Sequence, residues 1–228
     1  MERDVLILAI DTSSETCSIA VSDNTVCRAE YNFRHERRLI ERLPGIVQSL
    51  LADTGSTLAD IEAFAVGLGP GSFTGVRVGV TMAKVWAMTL DKPVVGVSSL
   101  DALAFPHYCA NTCRIAIAPT RRTESVIGFY GHRMPTSGEL PTIIPHEQLW
   151  QTAQNVWGTM EEMPLLIGET STAVWGTLPE SEQERITPVA DHPRASVVAR
   201  LAFARLGRGE SDDTDSLVPL YVTPPPTG

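Results

Sequence analysis

Residues 5–10, VLILAI, form an unbroken apolar run that stops at Asp11. A strand with no polar side has to be covered on both faces, which points to a sheet layered with helices rather than to a sheet open to water. The turn formers Asp11-Thr12-Ser13-Ser14 end the run. Two further strands follow, Cys17 to Val21 and Val26 to Phe33, around a turn at Asp23-Asn24, so the chain opens as a three-stranded meander.

Apolar residues then recur at helical spacing from Leu39 to Leu51, with Glu41, Arg42, Gln48 and Ser49 between them, and the pattern ends near Gly55. Pro44 has to sit in the first turns of this helix or kink it. A strand over 62–68, a glycine-rich turn, a helix over 74–90 and a strand over 93–98 complete an order of β-β-β-α-β-α-β. From about Cys113 a similar order restarts, with strands near Arg114–Ala118, Val126–Tyr130, Ile143 and Leu165–Gly168 and a short helix near Glu147–Gln154. The last element is a helix from about Ala195 to Leu206. Two lobes are expected, 1–104 and a more divergent 105–228 that contains this last helix. GRGESDDTDS after it reads as a mobile loop, and Thr223–Gly228 as a proline-rich tail.

Residues 67–75, GLGPGSFTG, join a buried strand to a helix, where backbone amides can hold an anion. Three phosphate or nucleophile motifs fail here. Val76 stands where a Walker motif needs lysine, Thr74 where a dinucleotide motif needs its third glycine, and Pro70 and Thr74 where a nucleophile elbow needs glycines. Two readings stay open: the glycines allow a tight turn that Ser72 or Thr74 caps, or Gly71 and Ser72 contact an anion. In the following helix Gly75, Gly79, Ala83 and Ala87 repeat every fourth residue, a ridge that admits another helix closely. Apolar and small residues cover roughly 220° of that helix, more than one sheet hides, so a second neighbour is expected, from this chain or another.

The chain carries 27 acidic and 18 basic side chains, a net charge of −9, which disfavours nucleic-acid binding by the chain alone. Arg34, Arg37, Arg38 and Arg42 form a local basic face, or simply a solvated helix surface. Cys17, Cys27, Cys109 and Cys113 are too sparse for a disulfide scaffold, and the pair Cys109 and Cys113 lacks the partners of a zinc site. The five histidines, His35, His107, His132, His146 and His192, include no pair three or four residues apart. A helical metal clamp is therefore not expected. The first apolar run is too short for a signal-peptide core, and no stretch reaches membrane-spanning length, so a cytoplasmic location is expected.

ILAIDTSSETCSIAV at residues 7–21, the long stretch from Ala65 to Ala104 and Pro219-Leu220-Tyr221-Val222 resemble the signatures of the TsaB (YeaZ) family. The resemblance implies a duplicated α/β fold, actin-like and ribonuclease-H-like, in two lobes. It implies an assembly subunit, without independent catalysis, of the machinery that forms N6-threonylcarbamoyladenosine next to the anticodon of tRNA. The implied partners are a TsaD-like catalytic paralogue and a TsaE-like ATPase, with tRNA reached only through the complex and a homodimer when the partner is absent. No zinc or cofactor is expected on the chain alone; a nucleotide, if held, would lie at the partner junction. The partner surface is expected on Leu39, Leu43, Ile46, Val47 and Leu50 of the first helix and on Gly75, Val76, Gly79, Val80, Ala83, Trp86 and Ala87 of the second.

Departures from the family pattern are His35-Glu36-Arg37-Arg38, where relatives show His-Ser-Glu, and Pro119-Thr120-Arg121-Arg122-Thr123-Glu124, where an Asp-Ala-Arg-Arg-Gly-Glu run is usual. Two enzyme readings compete with the assembly role. In an independent actin-like ATPase or kinase, Asp11 would position a magnesium-bound water and Thr12 or Ser13 would contact phosphate, against the simpler reading of a capped strand end. The other is an M22-type metallopeptidase, for which neither a metal clamp nor an activated nucleophile is evident.

Overall fold

The computed structural model describes residues 5–24, 26–34, 38–108, 112–131, 140–158 and 163–222. They form two compact units, one drawing on residues up to Ala102 and again on Pro193–Leu220, the other on Leu103–His192.

In chain order the elements are β1 (Ile7–Asp11), β2 (Thr16–Ser22), β3 (Cys27–Arg34), α1 (Leu39–Asp53), β4 (Ala63–Gly67), α2 (Phe73–Leu90), β5 (Val94–Val97) and α3 (Ser99–Ala104). The first sheet has the order β3-β2-β1-β4-β5. β1 runs antiparallel to β2 and parallel to β4, with Ile10 opposite both Ile19 and Val66. Every residue of β1 is buried, as a run without a polar side requires.

The remaining elements are β6 (Arg114–Arg121), β7 (Glu124–Tyr130), β8 (Thr142–Pro145), α4 (Leu149–Trp157), β9 (Leu165–Ile167), α5 (Ser171–Trp175), α6 (Glu180–Gln183), β10 (Thr187–Val189) and α7 (Ala195–Leu206). The second sheet has the order β10-β9-β6-β7-β8. β6, β7 and β8 pair antiparallel, while β6 with β9 and β9 with β10 pair parallel. Each sheet is thus a three-stranded meander whose first strand is extended by two parallel strands, the ribonuclease-H-like arrangement used twice. The two-lobed α/β fold expected from the strand order is the fold observed.

The pleat of β1 sorts its side chains. Leu8 and Ile10 join the core beneath α1 and α2, whereas Ile7 and Ala9 face the opposite layer with Ala20, Ala63 and Ala65. That opposite layer is α7, through Ala195, Val198, Ala199 and Ala202. The helix read as part of the second lobe therefore belongs to the first unit. Alanine-lined surfaces on both sides let helix and sheet approach closely. The start of α7 is fixed from the sheet as well: Ala195 N donates to Ser18 Oγ at 2.8 Å and Ser196 N to Glu30 Oε1 at 2.8 Å. Amides left open at a helix start are met by a hydroxyl and a carboxylate of β2 and β3.

The acidic segment after α7, expected to be mobile, is pinned. Asp212 pairs with Val94 across the free edge of β5 and takes both arms of the Arg205 guanidinium at 2.8 and 2.9 Å. Further on, Lys84 Nζ donates to the carbonyls of Asp215 and Leu217, the Leu217 side chain is buried, and Leu220 N donates to Leu68 O at 2.8 Å. The polar composition misled because the carboxylate serves as an edge clamp rather than as a solvated charge. Among the described residues no helix is long and apolar enough to cross a membrane.

Candidate functional site

The strand-end residues singled out in the sequence do come together. Asp11 ends β1 and is fully buried. Its Oδ1 accepts from Ser13 N at 2.9 Å and Ser13 Oγ at 2.6 Å, and its Oδ2 accepts from Ser99 Oγ at 2.6 Å. Ser99 Oγ in turn accepts from Gly69 N at 3.0 Å. Thr12 Oγ1 donates to Gly75 O at 2.7 Å, and Ser72 N donates to Ser13 O at 2.7 Å. A β-carbon on Gly71 would overlap the Ser13 carbonyl, so the two loops touch backbone to backbone. Ser72 Oγ caps α2 by accepting from Gly75 N at 3.2 Å. The hydroxyls proposed for phosphate contact are thus directed inward, and both carboxylate oxygens of Asp11 are engaged. Burial, then the Asp11 charge, push the Cys17 thiol far above its ordinary range, with Arg42 opposing.

Ser99 and Gly67 were not singled out in the sequence reading. β4 lies between β1 and β5, and its last residue is Gly67. The signal available was a serine just beyond the end of β5, on the same sheet margin where Asp11 ends β1.

The small-residue ridge of α2 requires a correction. A β-carbon on Gly75 would overlap the Thr12 carbonyl and one on Gly79 the Thr12 hydroxyl oxygen, while Ala83 and Ala87 are buried in the same core. The ridge admits the end of β1, not a foreign helix. Of the expected partner surface, Leu39, Leu43, Val47 and Leu50 on α1 and Gly75, Val76, Gly79, Val80, Ala83, Trp86 and Ala87 on α2 are buried within this unit, and only Ile46 is half-buried. The apolar periodicity was right; the layer it faces is the chain's own sheet.

The buried sector of α2 covers about 140° of its circumference, so the surplus inferred from sequence lies elsewhere on the helix. Val85 is 50% exposed and Met88 60% exposed, and on α1 Ile40 is 70% exposed. Between the two helices runs a groove of about 470 Å³, lined by Ile40, Leu43 and Pro44 from α1 and by Phe73, Thr74, Arg77, Val78, Thr81 and Met82 from α2. Pro44 lies inside α1, on its exposed side. This groove and the strand-end loop lie at opposite faces of α2.

Compared with known proteins, the chain is 32% identical over 221 residues to "tRNA threonylcarbamoyladenosine biosynthesis protein TsaB" of Bacillus subtilis, covering 95% of this chain and 93% of that one. The chain belongs to the TsaB family. The Escherichia coli TsaB is 42% identical over 98 residues, 43% of this chain and 42% of its own. A solved structure, "YeaZ from Pseudomonas aeruginosa", superimposes with a TM-score of 0.79 at 27% identity, covering 95% of this chain and 99% of that one. Residues 34–166 match the family model "TsaD: tRNA N6-adenosine threonylcarbamoyltransferase".

In this TsaB-family chain Pro119 is exposed on β6, within the hairpin to β7. Among the described residues no cluster of three or more His, Cys, Asp or Glu side chains can hold a metal. His107 Nε2 instead meets Asp191 Oδ2 at 2.8 Å, and His146 Nε2 meets Ser125 Oγ at 3.0 Å. His35, Glu36, Arg37, His132 and Cys109 lie outside the described residues. Of the basic face, Arg42 lies over the Phe33 ring and donates to Arg34 O at 2.6 Å, and Arg38 pairs with Glu41 at 3.0 Å.

Proposed function

We propose that the chain acts in tRNA threonylcarbamoyladenosine biosynthesis as an assembly subunit, docking a TsaD-like catalytic paralogue on the α1–α2 face, with a TsaE-like ATPase joining the assembly. The observation that carries this reading is the apolar groove between α1 and α2, flanked by exposed Ile40, Val85 and Met88, in a chain that matches TsaB of Bacillus subtilis along nearly its whole length. An exposed apolar patch of this kind is what a subunit surface leaves open before it meets its partner. With no partner present, the same face pairs two copies, and tRNA is engaged through the complex, in keeping with the net charge of −9.

The inward hydrogen bonds of Thr12, Ser13 and Asp11 favour the supporting role over an independent ATPase or kinase. A general base or metal-positioning carboxylate has to reach a substrate, and here one oxygen accepts from Ser13 and the other from Ser99.

The test is reconstitution of tRNA modification with the TsaD and TsaE of the same organism, with and without this chain. Ile40→Glu and Met82→Glu place a charge in the groove without touching the strand end. Both variants are expected to keep wild-type circular dichroism and to lose co-purification with TsaD and modification together. Full modification without the chain, or wild-type association of both variants, would sink the proposal.

A further inference from the structure

The two edges of the first sheet are protected differently. β3 is one edge, and its exposed positions include Arg28, Asn32 and Arg34. Charged side chains of this kind discourage another strand from pairing there. β5 is the other edge, and its sequence Val94-Val95-Gly96-Val97 carries no charge. Phe64 N donates to Pro93 O and Leu68 N to Val97 O, so the alternate residues Val94 and Gly96 turn their backbone groups away from β4. At each of them the segment after α7 supplies a partner. Asp212 N donates to Val94 O at 2.9 Å in an antiparallel bridge. At Gly96 the amide donates to Asp212 Oδ2 at 2.7 Å and the carbonyl accepts from Arg205 Nη1 at 2.9 Å, while guanidinium and carboxylate bond each other at 2.8 and 2.9 Å. One acceptor and one donor therefore stand where a neighbouring strand would place its carbonyl and amide.

We propose that the Arg205–Asp212 pair is an edge cap: it stands in for a strand at Gly96 and keeps the β5 edge of a second copy of this chain from pairing there. The inference does not draw on the docking role of α1 and α2. A backbone amide and carbonyl stripped of the ion pair need new partners, and an apolar edge takes them most readily from another strand. Two β5 edges related by a two-fold axis pair antiparallel with Val94 of each opposite Gly96 of the other, so that outward groups meet outward groups. The bridge to Asp212 shows that Val94 accepts an antiparallel neighbour. The ion pair satisfies both backbone groups of Gly96 without presenting a strand edge of its own, which ends the ladder at β5.

The experiment takes Met82→Glu, which charges the α1–α2 groove, as the parent and adds to it either Asp212→Ala or Arg205→Met together with Asp212→Ala. Sedimentation velocity measures the self-association of each, amide exchange of residues 93–98 locates the contact, and circular dichroism is the folding control. Relative to the parent, Asp212→Ala is expected to tighten self-association about tenfold, and the double change further. In dilute solution residues 93–98 of the variants exchange faster than in the parent; raising the protein concentration slows them again, while exchange in the second sheet stays the same. If the double change does not fold, Asp212→Ala alone is read by the same measures. Self-association no tighter than that of the parent overturns the inference. So does tighter association that leaves the exchange of residues 93–98 independent of concentration. Failure of the α1–α2 docking role would shift only the baseline of the parent and leave this comparison standing.

Discussion

The Asp11 carboxylate reaches the Ser99 hydroxyl at 2.6 Å across the width of β4. What lies between them is Gly67, and a β-carbon there would overlap Asp11 Oδ2 and come within 2.8 Å of Ser99 Oγ. The end of β1 and the start of α3 are therefore joined, over the end of β4, by a hydrogen bond that only the smallest residue permits. Gly67→Ala is expected to destabilise the chain by about 2–3 kcal/mol, combining overpacking with a broken buried hydrogen bond. Ser99→Ala, which removes the bond without the clash, should cost less. Urea denaturation of both variants checks the order, and equal stability of Gly67→Ala and wild type would contradict the packing argument.

The start of α7 tests a different link. Its Ser196 amide is met by Glu30 of β3, and its Ala195 amide by Ser18 of β2. Ser18 Oγ also donates to Glu30 Oε1 at 3.2 Å, so the two cap residues hold each other. Glu30→Ala is expected to destabilise by about 1 kcal/mol or more, the usual cost of losing a cap and a favourable charge at a helix start. Hydrogen exchange should then quicken first in the opening turn of α7. Uniform exchange across the helix would mean that alanine packing alone fixes it.

How far the sequence revealed this arrangement depends on the length of each signal. β1, β2, β3, α1, β4, α2 and β5 each carry a periodic or unbroken apolar pattern, and the order of elements along the first half of the chain followed from them. β10, α5 and α6 are three to five residues long and showed no period of their own. The place of α7 was not legible, because its contacts with Ser18 and Glu30 span 177 and 166 residues. For α2, the apolar positions outnumber those that one sheet hides. Their count could not say that the glycines face Thr12 while Val85 and Met88 are exposed, since small residues permit close approach to a sheet as readily as to a helix.

The Arg205–Asp212 pair clamps the segment after α7 to β5. Asp212 Oδ2 also accepts from Gly96 N at 2.7 Å, and Arg205 Nη1 donates to Gly96 O at 2.9 Å. Burial alone would raise the Asp212 pKa, but the hydrogen bonds from Arg205 and Gly96 outweigh it and hold the carboxyl below its ordinary value. A depressed folded-state value means that the clamp contributes fully above about pH 4 and is lost as pH falls through the lower folded value. Asp212→Asn should mimic that loss at neutral pH. Tryptic cleavage after exposed Arg208 is expected to quicken about tenfold, the effect of roughly 1.4 kcal/mol on local opening. An unchanged cleavage rate would assign the hold to Leu217 and Lys84 instead.

In the second unit, His146 is buried with its Nε2 3.0 Å from Ser125 Oγ. Burial pushes its pKa below the ordinary histidine value, with Glu124 opposing. The folded chain thus prefers the neutral ring. Above about pH 6.5 the ring is neutral in both states and stability is unaffected; below it the unfolded chain takes the proton first. Stability should therefore fall as pH drops from about 6.5 toward the lower folded value, by at most about 1.4 kcal/mol per pH unit. His107 and His192 also lie beside a carboxylate, that of Asp191, so wild type has to be compared with His146→Gln, which retains both. Urea midpoints at pH 7.5, 6.5 and 5.5 are expected to converge for the two proteins as pH falls, because only wild type loses the contribution of a buried neutral imidazole. Parallel curves would show that Ser125 and Glu124 already stabilise a charged ring.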